Sequence, residues 1–166
     1  MDPQKHESNF ITLLEENQNI VHKICRLYTQ SEAEHKDLFQ EISIQLWRSF
    51  DRFEGKSKFS TWMYRVGLNT AITLYRKDKK RIDTYSLNDE ISQVQLDQYD
   101  PVIDEQLNWL YQKINTFSEI DKALVLLYLE DKRYDEIADT LGISAVNARV
   151  KMNRIKERLK KMIKQG

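Results

Sequence analysis

The chain has 166 residues, of which 40% are hydrophobic, with four glycines, two prolines and a single cysteine. That is enough apolar content for a buried core and too few cysteines for an internal disulfide. With no basic-then-apolar leader and no apolar run of membrane-spanning length, the expected location is the cytoplasm, without direct membrane insertion. Lysine and arginine balance aspartate and glutamate, 26 against 26, but not evenly. Ile82 through Gln112 hold no basic residue, whereas Asp83, Asp89, Glu90, Asp97, Asp100, Asp104 and Glu105 all fall there, giving a basic, acidic, basic layout.

Leucine, isoleucine, glutamate, lysine and glutamine recur at helical spacing with little β-branched alternation, which predicts an all-α protein without strands. Phe10, Leu13 and Leu14 mark a first amphipathic helix, and Ile20, Ile24, Leu27 and Tyr28 a second. His22 and Cys25 stand three apart on that second helix, but no further ligands cluster near them. They read as packing residues, and no metal or cofactor is expected.

A third helix runs from about Glu34 to Phe50 and contains DLFQEISIQLWRSF. At 100° per residue, Leu38, Phe39, Ile42, Leu46 and Phe50 gather on one face as a core stripe. The opposite face holds Asp37, Gln40, Glu41, Ile44 and Arg48, with Trp47 at its edge. Two readings fit it: a solvated side with one stray apolar residue, or a docking surface with an apolar centre and a polar rim.

The loop FDRFEGKSKF follows, with Phe53, Lys56, Lys58 and Phe59 around Gly55, a residue that permits a tight bend. Ser60 is the predicted N-cap of a long fourth helix reaching the cluster RKDKKR, Arg76 to Arg81. On that helix Tyr64, Gly67, Leu68, Ala71, Leu74 and Tyr75 face the core. Trp62, Arg65, Asn69, Thr73, Arg76 and Lys80 form a ladder on the other side. Cations neutralise phosphates, an amide pairs with a base edge and an aromatic ring stacks on an unstacked base, so the ladder reads as a nucleic-acid surface. Trp62 by itself fits a core position equally well.

The acidic segment after Ile82 lacks a sustained helical stripe and ends near Asp100-Pro101, a dipeptide that disfavours helix, so it reads as a linker. Val102, Ile103, Leu107, Leu110 and Ile114 then open a second helical unit, followed by Glu119 to Glu130 and by Tyr134 to Lys164 with a break at Gly142. The last stretch, YDEIADTLGISAVNARVKMNRIKERLKK, has the form helix, glycine turn, helix, with Ile137, Ala138 and Leu141 packing the first helix and Ser144 capping the second. Ala148, Met152, Ile155 and Leu159 make a narrow apolar stripe on the second helix. Val146, Asn147, Val150, Lys151, Arg154 and Arg158 lie opposite, as on a helix that enters a major groove. A basic helix packed in a bundle is the competing reading.

DLFQEISIQLWRSF, FEGKSKFSTWMYRVGLNTAITLYRKDKKR and YDEIADTLGISAVNARVKMNRIKERL, in this order and spacing, resemble the extracytoplasmic-function class of bacterial RNA polymerase sigma factors. The resemblance implies a sigma region 2 bundle over 6–82, an acidic flexible linker over 83–103 and a sigma region 4 helix-turn-helix over 104–166. It implies that Asp37, Gln40, Glu41, Ile44 and Arg48 dock on the clamp helices of the largest subunit of core RNA polymerase. Lys56, Lys58, Phe59, Trp62, Arg65, Asn69, Arg76 and Lys80 would hold the opened minus-ten element of promoter DNA. Ser144, Asn147, Arg149, Lys151, Arg154 and Arg158 would bind the minus-thirty-five duplex. It further implies an anti-sigma partner, through which the protein could be held at the membrane, and no small-molecule substrate. Two positions depart from the family's pattern: Lys151 stands in place of the usual arginine, and Ala148 in place of a larger aliphatic. A self-sufficient DNA-binding regulator would use the helix-turn-helix alone and leave the amino-terminal surfaces unexplained. No phosphate loop, metal-ligand set or nucleophile-base pattern supports an enzyme.

Overall fold

The computed structural model describes residues 2–85 and 105–165, and among these the chain is helical without strands. It forms two compact units, Met1–Gln98 and Tyr99–Gly166. The first contains α1 (Pro3–Glu16), α2 (Gln18–Tyr28), α3 (Glu32–Ser49), a 3-10 turn (Phe50–Arg52) and α4 (Phe59–Tyr85); the second contains α5 (Glu105–Ile114), α6 (Glu119–Leu129), α7 (Tyr134–Leu141) and α8 (Ala145–Gln165). The predicted linker lies outside the described residues except where α4 continues through Tyr85.

Local chemistry explains where the helices start. Asp2 accepts a hydrogen bond from the Gln4 N–H, with Pro3 at the first helical position of α1. Ser31 accepts from the Glu34 N–H, while the Glu34 carboxylate accepts from the Gln30 N–H at 2.9 Å, so the two side chains satisfy backbone donors at both sides of the α3 start.

In the first unit α2, α3 and α4 pack around Val21, Ile24, Ile42, Leu46, Met63 and Leu68, all fully buried. Burying each large aliphatic chain contributes about 2 kcal/mol, so this cluster outweighs any surface ion pair. Gly67 lets α4 approach closely: a Cβ there would stand 2.8 Å from Ile24 Cδ1. Cys25 belongs to this core, and burial pushes its thiol up to about 12, away from reactive thiolate chemistry. In the second unit α6 is enclosed from Lys122 to Leu127, with Ser118 capping its start and α7 and α8 packed against it.

His22 and His35 join α2 to α3 with Nδ1 and Nε2 2.9 Å apart, so one ring nitrogen donates and the other accepts. Their rings stack, and Phe39 covers His22. Burial, aided by Arg26, lowers the His22 pKa; burial, His22 and Arg26 together lower that of His35 against an opposing effect of Glu32. Because both folded-state values lie below 6.5, the unfolded chain binds protons first as pH falls. The contribution is therefore constant above that value and is lost below it. The thermal midpoint of the first unit is expected to drop between pH 7 and 5.5, and His35→Phe to flatten the drop. Parallel wild-type and variant profiles would rule the pair out.

Candidate functional site

The outer face of α3 carries all five expected residues in the open. Asp37, Gln40, Glu41, Ile44 and Arg48 are exposed, whereas Leu38, Ile42 and Leu46 on the opposite side are buried. Ile44 retains 42% of its surface in solvent and Trp47, beside it on the helix, 41%. Trp47 leans against Phe10 and His6 of α1, with ring centroids 5.0 and 5.7 Å away. The result is an apolar centre in a ring of amide, carboxylate and guanidinium groups, the composition of a docking surface.

The second surface begins at the loop after α3. Gly55 has φ of +73°, a left-handed conformation that a side chain disfavours and that turns the chain toward α4. The Trp62 N–H donates to the Lys58 carbonyl, so α4 starts at Phe59 and Ser60 lies inside the first turn. This corrects the predicted Ser60 cap. Phe59 packs edge-on against Phe50 and Phe53, and that contact favours the earlier start.

Trp62 is neither a core residue nor a free ring. It is half-buried, with centroids 5.2 Å from Phe53, 5.4 Å from Phe59 and 6.3 Å from Phe50. Sequence periodicity missed this cluster because Phe50 and Phe53 precede the helix; the spacing F-x-x-F in FDRF was the available signal. Beyond it Arg65, Asn69, Thr73, Arg76 and Lys80 are exposed along α4. The Thr73 hydroxyl donates to the Asn69 carbonyl at 2.8 Å and is thereby occupied within the helix. Lys56 pairs with Glu54 at 2.7 Å, but both are largely exposed, and such a pair is worth well under about 1 kcal/mol. A phosphate can displace it.

The third surface is a helix-turn-helix. Gly142 ends α7 at φ of +71°, and its N–H and that of Ile143 both donate to the Ala138 carbonyl. Ser144 accepts from the Asn147 N–H at 3.0 Å, the cap that the sequence predicted. Ala148, Met152 and Ile155 are buried, and Val146 and Val150 stand out into solvent.

Of the six expected DNA-binding residues, Ser144 caps α8 and the other five divide between the flanks of that helix and its outer face. Lys151, Arg154 and Arg158 line one recess with Ile155 and Asp121, and the Arg158 guanidinium lies 4.6 Å from the Phe117 ring. Arg149 is on the other flank, 5.3 Å from the Tyr134 ring. Asn147 is exposed, next to Val146. Phe117 and Tyr134 were not legible beside these cations, because Arg158 and Arg149 are distant from them in sequence. Lys122 is 2% exposed, its Nζ donates to Asn115 Oδ1, and burial lowers its pKa against Glu119.

Among the described residues no three histidine, cysteine or carboxylate groups stand close enough to hold a metal ion, and no helix is long and apolar enough to cross a membrane. Against known families, residues 13–81 match Sigma-70 region 2 and residues 107–159 match Sigma-70, region 4. The chain is 27% identical over 158 residues to the ECF RNA polymerase sigma factor SigW of Bacillus subtilis, covering 87% of this chain and 83% of that one. It is 25% identical over 171 residues to the ECF RNA polymerase sigma-E factor of Haemophilus influenzae, covering 96% and 90%. A co-crystal structure of the sigma factor RpoE with the anti-sigma factor NepR from Bartonella quintana shares the fold, with a TM-score of 0.66 at 16% identity, covering 97% of this chain and 98% of that one.

Proposed function

This chain belongs to the extracytoplasmic-function class of the sigma-70 family of RNA polymerase sigma factors, and from that premise we propose how its surfaces divide the work. It is a promoter-recognition subunit rather than an enzyme: it brings core polymerase to promoters and takes part in initiation. The observation that carries the assignment is that both region matches fall on one chain in order, one on each compact unit.

The outer face of α3, centred on Ile44 and rimmed by Asp37, Gln40, Glu41 and Arg48, docks on the clamp helices of the largest polymerase subunit. Lys56, Lys58 and Phe59 line the path of the displaced minus-ten strand. Trp62 offers a stacking surface, Arg65 and Asn69 support the strand, and Arg76 and Lys80 follow the backbone. In the second unit Asn147 faces base edges and Ser144 lies near the backbone. Lys151, Arg154 and Arg158 gather cationic charge for phosphates on one flank, and Arg149 on the other. The functional modules span 6–82 and 104–166, joined by the acidic segment 83–103.

The resemblance to a fold solved with an anti-sigma factor supports such a partner here, one that would cover the DNA surfaces until release. A cytoplasmic factor held at the membrane only through that partner fits the lack of a membrane-crossing helix among the described residues.

Trp62→Ala is expected to lower opening of the minus-ten element about tenfold, the scale of one lost base stack, with core binding unchanged. Permanganate reactivity of thymines in that element measures this, and unchanged reactivity would remove Trp62 from the site. Arg154→Ala is expected to weaken holoenzyme binding to a minus-thirty-five duplex evenly across sequences and to reduce the salt slope by about 1. A change in base preference with the slope intact would instead make Arg154 a base reader.

A further inference from the structure

The helix α1 begins ahead of the region 2 match, which starts at residue 13, and Phe10 is its one buried residue. Nevertheless α1 reaches the ring that underlies the minus-ten surface. The His6 and Phe10 rings lie 4.9 and 5.1 Å from that of Phe50. Phe50 is 6% exposed, and beyond it stand Phe59 and Trp62, with centroids 6.2 and 6.3 Å away. One phenyl group thus touches both α1 and the stacking surface.

The geometry points to α1 as a positioning element for promoter opening, with His6 and Phe10 as positioning residues that hold Phe50 where it supports Trp62. This rests on the reading that the loop and α4 capture the opened strand. A stacking surface assists opening more when it is already in place as a base leaves the duplex, because a ring free to turn must lose that freedom on capture. Pinning Phe50 from behind removes that cost. His6 Nε2 also lies 2.8 Å from Asp51 Oδ1, but Asp51 is 80% exposed, so the ring contacts rather than this polar contact do the holding.

The test uses the full-length protein with core RNA polymerase and a promoter fragment that the holoenzyme selects from a randomised library. The fragment is prepared as a duplex and with the minus-ten region opened by mismatches. His6→Ala and, independently, Phe10→Leu are expected to lower thymine reactivity and transcript yield on the duplex about fivefold, the scale of one aromatic contact. Yield from the opened fragment should not change, and because both rings also lean on Trp47 at the docking face, the fragments are compared at core concentrations that saturate each variant. His6→Phe, which keeps the ring and loses the contact with Asp51, should restore the duplex signal. Equal losses on both fragments, no loss on the duplex, or failure of His6→Phe to restore it would overturn the inference. Trp62→Ala separates the causes: if it alone lowers opening, the minus-ten reading stands and the role of α1 falls, and if it also has no effect, both fall.

Discussion

Ile44→Glu is expected to weaken binding to core RNA polymerase about a hundredfold, roughly 2.8 kcal/mol, with the chain still folded. Ile44 is 42% exposed on α3, so the carboxylate is solvated in the free protein and costs little there. In the complex it would occupy the apolar centre, where an unpaired charge loses its water without gaining a partner. The polar rim of Asp37, Gln40, Glu41 and Arg48 has the opposite property: single truncations there should cost less, because rim contacts remain near solvent. Fluorescence anisotropy of the labelled protein against core polymerase, paired with circular dichroism for folding, measures both halves of the expectation. Full affinity in the folded variant would move the docking surface elsewhere.

Two residues earlier on the same helix the expectation reverses. Ile42→Ala should destabilise the first unit by about 3 kcal/mol, the range for truncating a large aliphatic chain in a packed core. Ile42 has no solvent exposure and contributes to the α2, α3 and α4 core beside Ile24, where the space at Gly67 is already closed by helix packing. The cavity cannot collapse cheaply. Denaturant unfolding should show the loss as a shifted midpoint at constant slope, and polymerase affinity measured well below the transition should stay near wild type. A loss below about 1 kcal/mol would mean that the helices close over the gap.

The contrast between these two isoleucines shows what the sequence made legible. On α3 a turn of 100° per residue separates Ile42 from Ile44 by more than half a circle, so the core face and the outer face could be assigned without coordinates. The same periodicity located the apolar stripe of α8, and the pair Ala138 and Gly142 located the turn before it. Ser144 was legible as a cap because its hydroxyl answers a backbone donor only three residues away.

What periodicity does not carry is contact between side chains far apart in the chain. Trp62 could not be assigned because its neighbours Phe50 and Phe53 come from a turn outside the helix. Ser60 looked like a cap, yet the aromatic packing of Phe59 favours an earlier start. Nothing in the spacing of α8 tells that Arg149 lies over Tyr134 while Lys151 and Arg158 lie toward Asp121. His6 and Phe10 likewise acquire meaning only when α1 reaches Phe50.

The most direct measurement is run-off transcription with core RNA polymerase from the source bacterium on a randomised promoter library, comparing wild type with an Asp37→Lys, Ile44→Glu double variant. The result expected is a set of discrete transcripts that require the protein and disappear with the variant. An absence of transcripts, with tight and specific duplex binding by the protein alone, would contradict the account.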